Sequence, residues 1–224
     1  MKHFLLLAAM AVLSSRLCSA APCASGSLSS YVALGTGGCT LGGNTLFNFQ
    51  ILSGTAGATP IAPGDVTIAP LGGTFDPGID VSLTQTAASG TLLESLFTYQ
   101  IAGNSFVGSS LTLANSSETA DGAVTDIQNF CAGGAFGPDG VTGCSGFAGS
   151  LLTLDGLQNH DSASFSPTGL LSITDDFTLD GGLQGSASGG SFTDRFTATP
   201  EPGTFLITGL ALAMAAGLKL RFRR

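Results

Sequence analysis

The sequence has no tryptophan, few charged residues, and almost no basic residues away from its two ends. Only 10% of the chain is charged, and residues 21–199 carry fourteen acids against one base, Arg195, for a net charge of −13. A surface of this sign repels nucleic acids, anionic lipids and acidic polymers. The composition therefore predicts that the protein has no nucleic-acid partner.

Motifs for catalysis are also missing. No Gly-x-Ser-x-Gly nucleophile motif occurs, and His160 is the one histidine within residues 21–199. Its neighbours Asp161 and Ser162 do not define a triad, because a triad is a spatial arrangement and these residue types are common here. We interpret His160 as an exposed loop residue, and we predict that the protein is not an enzyme.

A secreted hydrolase is the alternative that this interpretation leaves open. The many Asp and Glu residues, Glu94 among them, offer carboxylate pairs of the kind that glycosidases use. The lack of tryptophan counts against a glycosidase, because aromatic surfaces normally supply the area on which sugars stack.

The first twenty residues have the pattern of a signal peptide. A short basic start is followed by an apolar run, Phe4–Leu13, and by the small residues Cys18-Ser19-Ala20. This order predicts cleavage after Ala20. A lipoprotein is the weaker alternative, because Arg16 and Leu17 stand where the lipidation motif has small residues.

The other end of the chain combines a turn with an apolar segment. Two prolines in Pro200-Glu201-Pro202-Gly203 fix φ and lack N–H groups, so a helix can begin only after them. The run Phe205–Leu218 gives roughly 21 Å of helix, which is shorter than the bilayer core of about 30 Å. Thinning of the bilayer and snorkelling of Lys219 can cover the difference, so we predict a transmembrane helix over about residues 204–220.

Basic residues end the chain and predict its orientation. Positively charged flanks stay on the cytoplasmic side of a membrane, so everything before Pro200 is expected outside. The membrane-orienting residues are Lys219, Arg221, Arg223 and Arg224.

This order of turn, apolar helix and basic tip resembles the PEP-CTERM sorting signal of bacterial surface proteins, over Pro200–Arg224 alone. The resemblance implies Pro200, Glu201, Pro202 and Gly203 as the sorting signal. It also implies recognition by an exosortase, a membrane cysteine protease that is thought to cut near this motif and release or transfer the protein. Proteins with this signal are common in bacteria that produce exopolysaccharide and biofilm. The implied route is export across the inner membrane, anchoring by the C-terminal helix, and then the cell surface or the extracellular space.

The exported domain, residues 21–199, has the composition of a β-protein. The full sequence has 33 glycines and 15 phenylalanines, serine and threonine are frequent, and no stretch of the exported domain has a convincing helical period. We predict an antiparallel β-sandwich, jelly-roll-like, followed by the C-terminal hydrophobic helix. A β-helix is the open alternative, and regularly placed apolar residues argue against disorder.

Several strands can be assigned from alternation of apolar and polar residues. They are Ser27–Leu34; Leu46–Ile51, with Phe47, Phe49 and Ile51 on the inner face; a hairpin with Phe97–Ile101 and Val107–Leu113 around a Gly103-Asn104 turn; a strand containing Leu152 and Leu154; Leu171–Leu179; and Phe192–Ala198. The last two carry Asp175 and Asp194 on otherwise apolar faces, which the pattern does not explain.

Four cysteines remain after the signal peptide: Cys23, Cys39, Cys131 and Cys144. In an exported protein they suggest two disulfides, for which three pairings exist. We favour Cys23–Cys39 and Cys131–Cys144, because each pair spans a glycine-rich loop whose ends must meet. Zinc is the alternative reading, but the close Cys-x-x-Cys spacing of zinc ribbons is absent.

Calcium is the metal with some support in the sequence. Asp175, Asp176 and Asp180 lie close together, as do Asp121 and Asp126, and calcium prefers oxygen ligands. Neither group has EF-hand spacing, so we interpret them as solvated turn carboxylates and predict no metal or other cofactor.

Together these features predict an exported cell-surface or extracellular-matrix protein with a structural or adhesive role. A carbohydrate-binding module for exopolysaccharide is the first alternative, and a secreted hydrolase is the second. The expected partners are the exosortase-type protease, the membrane as a transient partner, and exopolysaccharide.

Overall fold

The computed structural model of the protein describes residues 20–199. In that range there are thirteen strands, one α-helix, α1 (Leu28–Val32), and a 3-10 turn (Pro63–Asp65). The strands are β1 (Gly26–Ser27), β2 (Cys39–Leu41), β3 (Asn44–Ser53), β4 (Val66–Leu71), β5 (Gly78–Leu83), β6 (Thr86–Ala87), β7 (Leu92–Ala114), β8 (Ser117–Thr119), β9 (Ala123–Ala132), β10 (Phe147–Leu154), β11 (His160–Asp180), β12 (Ser186–Ser188) and β13 (Ser191–Thr199).

Two long strands, β7 and β11, organise the sandwich because each takes part in both of its layers. The first layer runs β1-β4-β5-β13 and continues through the second half of β7 to the first half of β11. The second layer runs β2-β3, then the first half of β7, the second half of β11, β9 and β10. Every ladder between these strands is antiparallel, so the predicted antiparallel sandwich is confirmed.

Aromatic side chains fill the space between the layers. Phe192 of β13 packs against Phe97 and Phe177 of the second layer, with ring centroids 5.9 and 5.6 Å apart. Phe106 and Phe196 are fully buried beside them. A small third sheet, β6-β12-β8, closes one end of the sandwich.

The predicted hairpin at Gly103-Asn104 is wrong, because β7 runs through these residues and bends into the other layer. Gly103 has φ +149°, and a Cβ there would lie 2.5 Å from the Asn44 side-chain oxygen. That same oxygen accepts the Asn104 N–H at 2.8 Å. The glycine therefore permits a close approach of two strands and a change of layer.

The strand predicted over Ser27–Leu34 is also wrong, since most of it is α1. The side chain of Ser27 caps the helix by accepting the Ser30 N–H at 3.3 Å. Leu28 and Tyr31, three residues apart, are both buried, which is the spacing of a helix face.

Two of the strand faces differ from the prediction. In β3 the prediction is right for Phe49, which is buried, and for Ile51, which packs against the core, but wrong for Phe47: a bulge after Phe47 shifts the register, so that Leu46 faces the core instead. In β10, Leu151 is buried and Leu152 is 44% exposed, the reverse of the prediction.

In residues 20–199 no helix is long and apolar enough to cross a membrane. The signal peptide, the C-terminal hydrophobic helix, the sorting signal and the membrane-orienting basic residues all lie outside the described range.

Candidate functional site

A cleft on the outer face of the second layer is the best-formed candidate site. Its floor includes a row of polar side chains that crosses β3, β7 and β11. Asn48 Nδ2 donates to Gln100 Oε1 at 2.6 Å, and Gln100 Nε2 donates to Ser172 Oγ at 2.8 Å. Ser172 Oγ in turn donates to the Gly134 carbonyl at 3.0 Å. The row therefore joins the sheet to the loop between β9 and β10.

The bulge in β3 places the first member of this row. Asn48 has φ +57°, a left-handed conformation that asparagine tolerates better than most residues. Its backbone N–H donates to the Gly35 carbonyl at 3.0 Å, which holds the bulge in place. Bulges of this kind re-aim side chains and are frequent beside functional sites.

The loop over residues 133–146 covers the cleft. Thr174 Oγ1 donates to the Gly140 carbonyl of this loop, so the loop is held against the sheet. At Gly140 a Cβ would lie 3.0 Å from the side chains of Leu52 and Thr98, and its φ of +75° also favours glycine. Phe136 and Pro138 of the loop also line the cleft.

A disulfide and a tight turn keep this loop in shape. Cys131 at the end of β9 is bonded to Cys144, so the base of the loop is closed. At its tip, Asp139 accepts the N–H groups of Val141 and Thr142, and the Thr142 hydroxyl also donates to it. These hydrogen bonds, that of the hydroxyl first, lower the pKa of Asp139.

The cleft is small and uncharged. Its volume is about 150 Å³, below the range of about 300–1,000 Å³ that is typical for drug-sized ligands. No acidic or basic residue is among the described residues that line it. The amide and hydroxyl groups that line it suit one unit of a neutral, hydroxyl-rich ligand, because such groups both donate and accept hydrogen bonds.

A second polar cluster lies inside the core, between the two layers. Asp194 of β13 accepts hydrogen bonds from Tyr99 Oη and from Gln128 Nε2, both at 2.5 Å. Ser109 Oγ donates to Gln128 Oε1 at 2.5 Å. We call Ser109, Tyr99, Asp126, Gln128, Asp175 and Asp194 the interior network; all are buried.

The acids of the interior network have raised pKa values. Burial raises the pKa of Asp126 and Asp175 well above the usual value, and repulsion from Asp194 adds to this. Burial also raises the pKa of Asp194, to about 7, although hydrogen bonds from Tyr99 oppose the shift. The side-chain oxygens of Asp126 and Asp175 have no donor among the described residues. Protonation is the physical way to hold such carboxyls in a core.

The three aspartates considered for calcium do not converge. Asp175 is in the interior network, whereas the next residue, Asp176, lies on the opposite face of β11 beside Glu94. Asp180 is exposed at the end of the strand. Across residues 20–199 no three Asp, Glu, His or Cys side chains are grouped as a metal site requires. Asp121 is held in a turn by the N–H groups of Leu183 and Gln184.

Asp176 and Glu94 form a second carboxyl pair on the face that carries the cleft. Burial first, and Glu94 second, raise the pKa of Asp176 to about 6. Glu94 is buried and accepts a hydrogen bond from Thr55 Oγ1 at 2.9 Å. The pair does not line the cleft.

His160 begins β11 and is exposed, whereas a loop position was predicted. Its Nδ1 lies 3.0 Å from the Thr112 hydroxyl. The neighbouring Asp161 accepts the N–H groups of Leu152 and Ser162, which is a structural role.

The structure contains both favoured disulfides. Cys23–Cys39 ties the N-terminal segment to β2, and Cys131–Cys144 closes the loop over the cleft. The polar row of the cleft and the role of Gln128 were not predicted from the sequence. The one available signal was the placement of Asp175 and Asp194 on apolar faces.

No family model matches the chain, and no curated protein matches it. Among solved structures it is similar to TmCBM61 in complex with β-1,4-galactotriose, with 10% sequence identity and a TM-score of 0.30. The match covers 65% of this chain and 86% of that one. A likeness at this TM-score carries no argument about the site.

Proposed function

We propose that the protein is exported and binds a neutral carbohydrate in the cleft under the disulfide-closed loop. The observation that carries this proposal is the uncharged polar row Asn48–Gln100–Ser172 in a cleft that Phe136 also lines. Sugars present hydroxyl groups and apolar ring faces together, so amides and an aromatic ring in one cleft complement both.

The charge of the domain narrows the class of carbohydrate. A net charge of −13 over residues 21–199 repels acidic polysaccharides, whereas a neutral chain is unaffected. The small cleft fits a single sugar unit rather than a bulky ligand. The proposed ligand is therefore a neutral glycan of the extracellular matrix.

The proposed role is adhesive and non-catalytic. Two disulfides support an oxidising location outside the cytoplasm. The resemblance at Pro200–Arg224 supports sorting by an exosortase, with a C-terminal membrane helix before processing. The same proposal includes a jelly-roll-like arrangement of the strands in the sandwich.

Mass spectrometry of the exported protein should find an N-terminus near Ala21 and no peptide from Phe205–Arg224. An intact C-terminus would instead indicate a permanent anchor.

Calorimetric titration with neutral oligosaccharides tests the binding function. We expect millimolar or tighter binding to at least one gluco-, galacto- or manno-oligosaccharide, and a loss of about tenfold or more in Gln100→Ala, because the row loses its central member. Gln184→Ala, an exposed glutamine in the loop before β12, is the matched control and should bind as the unchanged protein does.

Failure of the unchanged protein to bind any of these sugars at millimolar concentration would contradict the proposal. Equal affinity in Gln100→Ala would show that the sugar binds elsewhere. The sugars should also be analysed for cleavage after incubation with the protein, because cleavage products would favour the hydrolase alternative.

A further inference from the structure

A second, larger groove lies between the end of β9, the start of β10 and the middle of β11. It has a volume of about 380 Å³ and is lined by Phe147, Phe165 and Pro167, with Ser166 and Thr168 also in its wall. Its volume falls within the usual range for ligand pockets. Phe147 is 58% exposed, although it is on the inward face of β10. Exposed aromatic surface of this kind commonly marks an interaction site.

The aromatic rings of the groove are supported from behind. The ring of Phe130 lies against those of Phe165 and Phe147, with centroids 5.3 and 6.3 Å apart. Gly149 makes room for this ring, because a Cβ there would lie 2.3 Å from Phe130 Cζ. The supported rings therefore form a pre-ordered platform, which reduces the entropy lost on binding.

The groove and the cleft lie on either side of one short segment. Gly133 lines the groove, and Ala135, two residues later, lines the cleft. Along β11, Thr168 lines the groove and Ser172, four residues later, lines the cleft. Neither site is lined by an acidic or basic residue among those described.

We propose that the groove is a second subsite for the same neutral glycan, in which a further sugar unit stacks on Phe147 while the cleft holds another by hydrogen bonds. This inference rests on the proposed function. The occupant follows from the shared lack of charge, from the hydroxyls beside the aromatic platform, and from the short segment, residues 133–135, that separates the groove from the cleft. The protein accordingly recognises a chain of several units rather than a single sugar.

The test is the dependence of affinity on glycan length. Calorimetry compares monosaccharides with the corresponding neutral oligosaccharides of up to six units, using the exported protein. The unchanged protein should bind the longest chains at least about tenfold more tightly than the monosaccharide. Phe147→Ala should lose about tenfold for long chains and nothing for the monosaccharide, and Phe147→Trp should keep the length dependence. Leu157→Ala, an exposed leucine in the β10–β11 turn, is the control.

The outcomes separate the two proposals. If no sugar of any length binds the unchanged protein, the proposed function fails, and this inference fails with it. If binding occurs but Phe147→Ala retains the full length dependence, the cleft function stands and the second subsite is wrong. If ultracentrifugation shows that Phe147→Ala dissociates a dimer without a change in affinity for long chains, the groove is a self-association surface, and the inference is again overturned.

Discussion

The two polar regions of this protein are built on opposite faces of the same strands. Along β7, Thr98 and Gln100 face the cleft, whereas Tyr99 between them reaches into the interior network. Along β11, Thr174 faces the loop over the cleft and the adjacent Asp175 faces the core. Alternation of side chains along a strand is enough to place two chemically different sites back to back.

The difference between the regions lies in charge and in access to solvent. The cleft is neutral, and its side chains bond to one another and to the loop. The interior network contains three buried acids and has no basic residue among its members. Buried acids with this arrangement govern stability and its pH dependence, whereas the proposed binding depends on the neutral row. Variants in the two regions should therefore have separable effects.

The largest effect on stability is expected from Asp194→Ala. The change leaves the Tyr99 hydroxyl and the Gln128 amide, both buried, without their acceptor, at about 1–3 kcal/mol each, and it adds a small cavity. We expect the free energy of unfolding to fall by about 3–5 kcal/mol in urea denaturation at pH 5. Thr197→Ala, an exposed position on the same strand, should change it by about 0.5 kcal/mol or less. A loss under about 1 kcal/mol for Asp194→Ala would mean that the network does not stabilise the fold.

Removal of either disulfide should lower the free energy of unfolding by a similar amount, so the two variants can be compared for their effect on the cleft. The sequence separations of the disulfides are 13 and 16 residues, so removal of either by a pair of Cys→Ser changes should cost about 3 kcal/mol by the chain-entropy model. Only loss of Cys131–Cys144 frees the loop over the cleft. We therefore expect weaker binding of neutral oligosaccharides in that variant, and unchanged binding when Cys23–Cys39 is removed. Equal losses of affinity in both variants would contradict a specific role for the loop.

The sandwich and the cysteine pairing were accessible from the sequence because both depend on local patterns. Alternating apolar residues identify strands, and each disulfide closes a short glycine-rich segment. The change of layer at Gly103 was not accessible, because the same glycine suits a hairpin turn equally well. The choice between them depends on Asn44, which is distant in the sequence.

The candidate site was less accessible than the fold. The cleft requires the bulge at Asn48, which shifts the register of one strand, and a loop that folds over from β9. The interior network did have a signal in the sequence, since Asp175 and Asp194 interrupt apolar faces. The role of these two aspartates becomes apparent only from the pairing of β9 with β11, which places Gln128 opposite Asp175. Long-range pairing of this kind has no signal in local periodicity.

The effect of pH on the free energy of unfolding is more gradual, because it is spread over several pH units. The folded-state pKa values of Asp126, Asp175 and Asp194 are raised above the unfolded value of about 3.9, that of Asp194 to about 7. Between roughly pH 4 and 7 the folded protein therefore binds more protons than the unfolded chain, and the free energy of unfolding falls as pH rises. The slope should reach at most about 1.4 kcal/mol per pH unit for each carboxyl. Asp126→Asn should flatten the curve; an increase in stability from pH 4 to 7 in the unchanged protein would contradict the predicted direction.

The affinity of the cleft for a neutral sugar should not follow this pH dependence. No lining side chain changes charge between pH 5 and 7, and an uncharged ligand has little interaction with the charge that Asp176 gains near pH 6 on the same face. Calorimetric titration at pH 5 and pH 7, at a temperature where the protein stays folded, should give dissociation constants that agree within about twofold. The Asp126→Asn variant should give the same values at both pH values, because its side chain is in the core rather than in the cleft. An affinity that falls in step with stability would instead mean that the sheet transmits the state of the interior network to the cleft, and that the two faces of β7 and β11 are not independent.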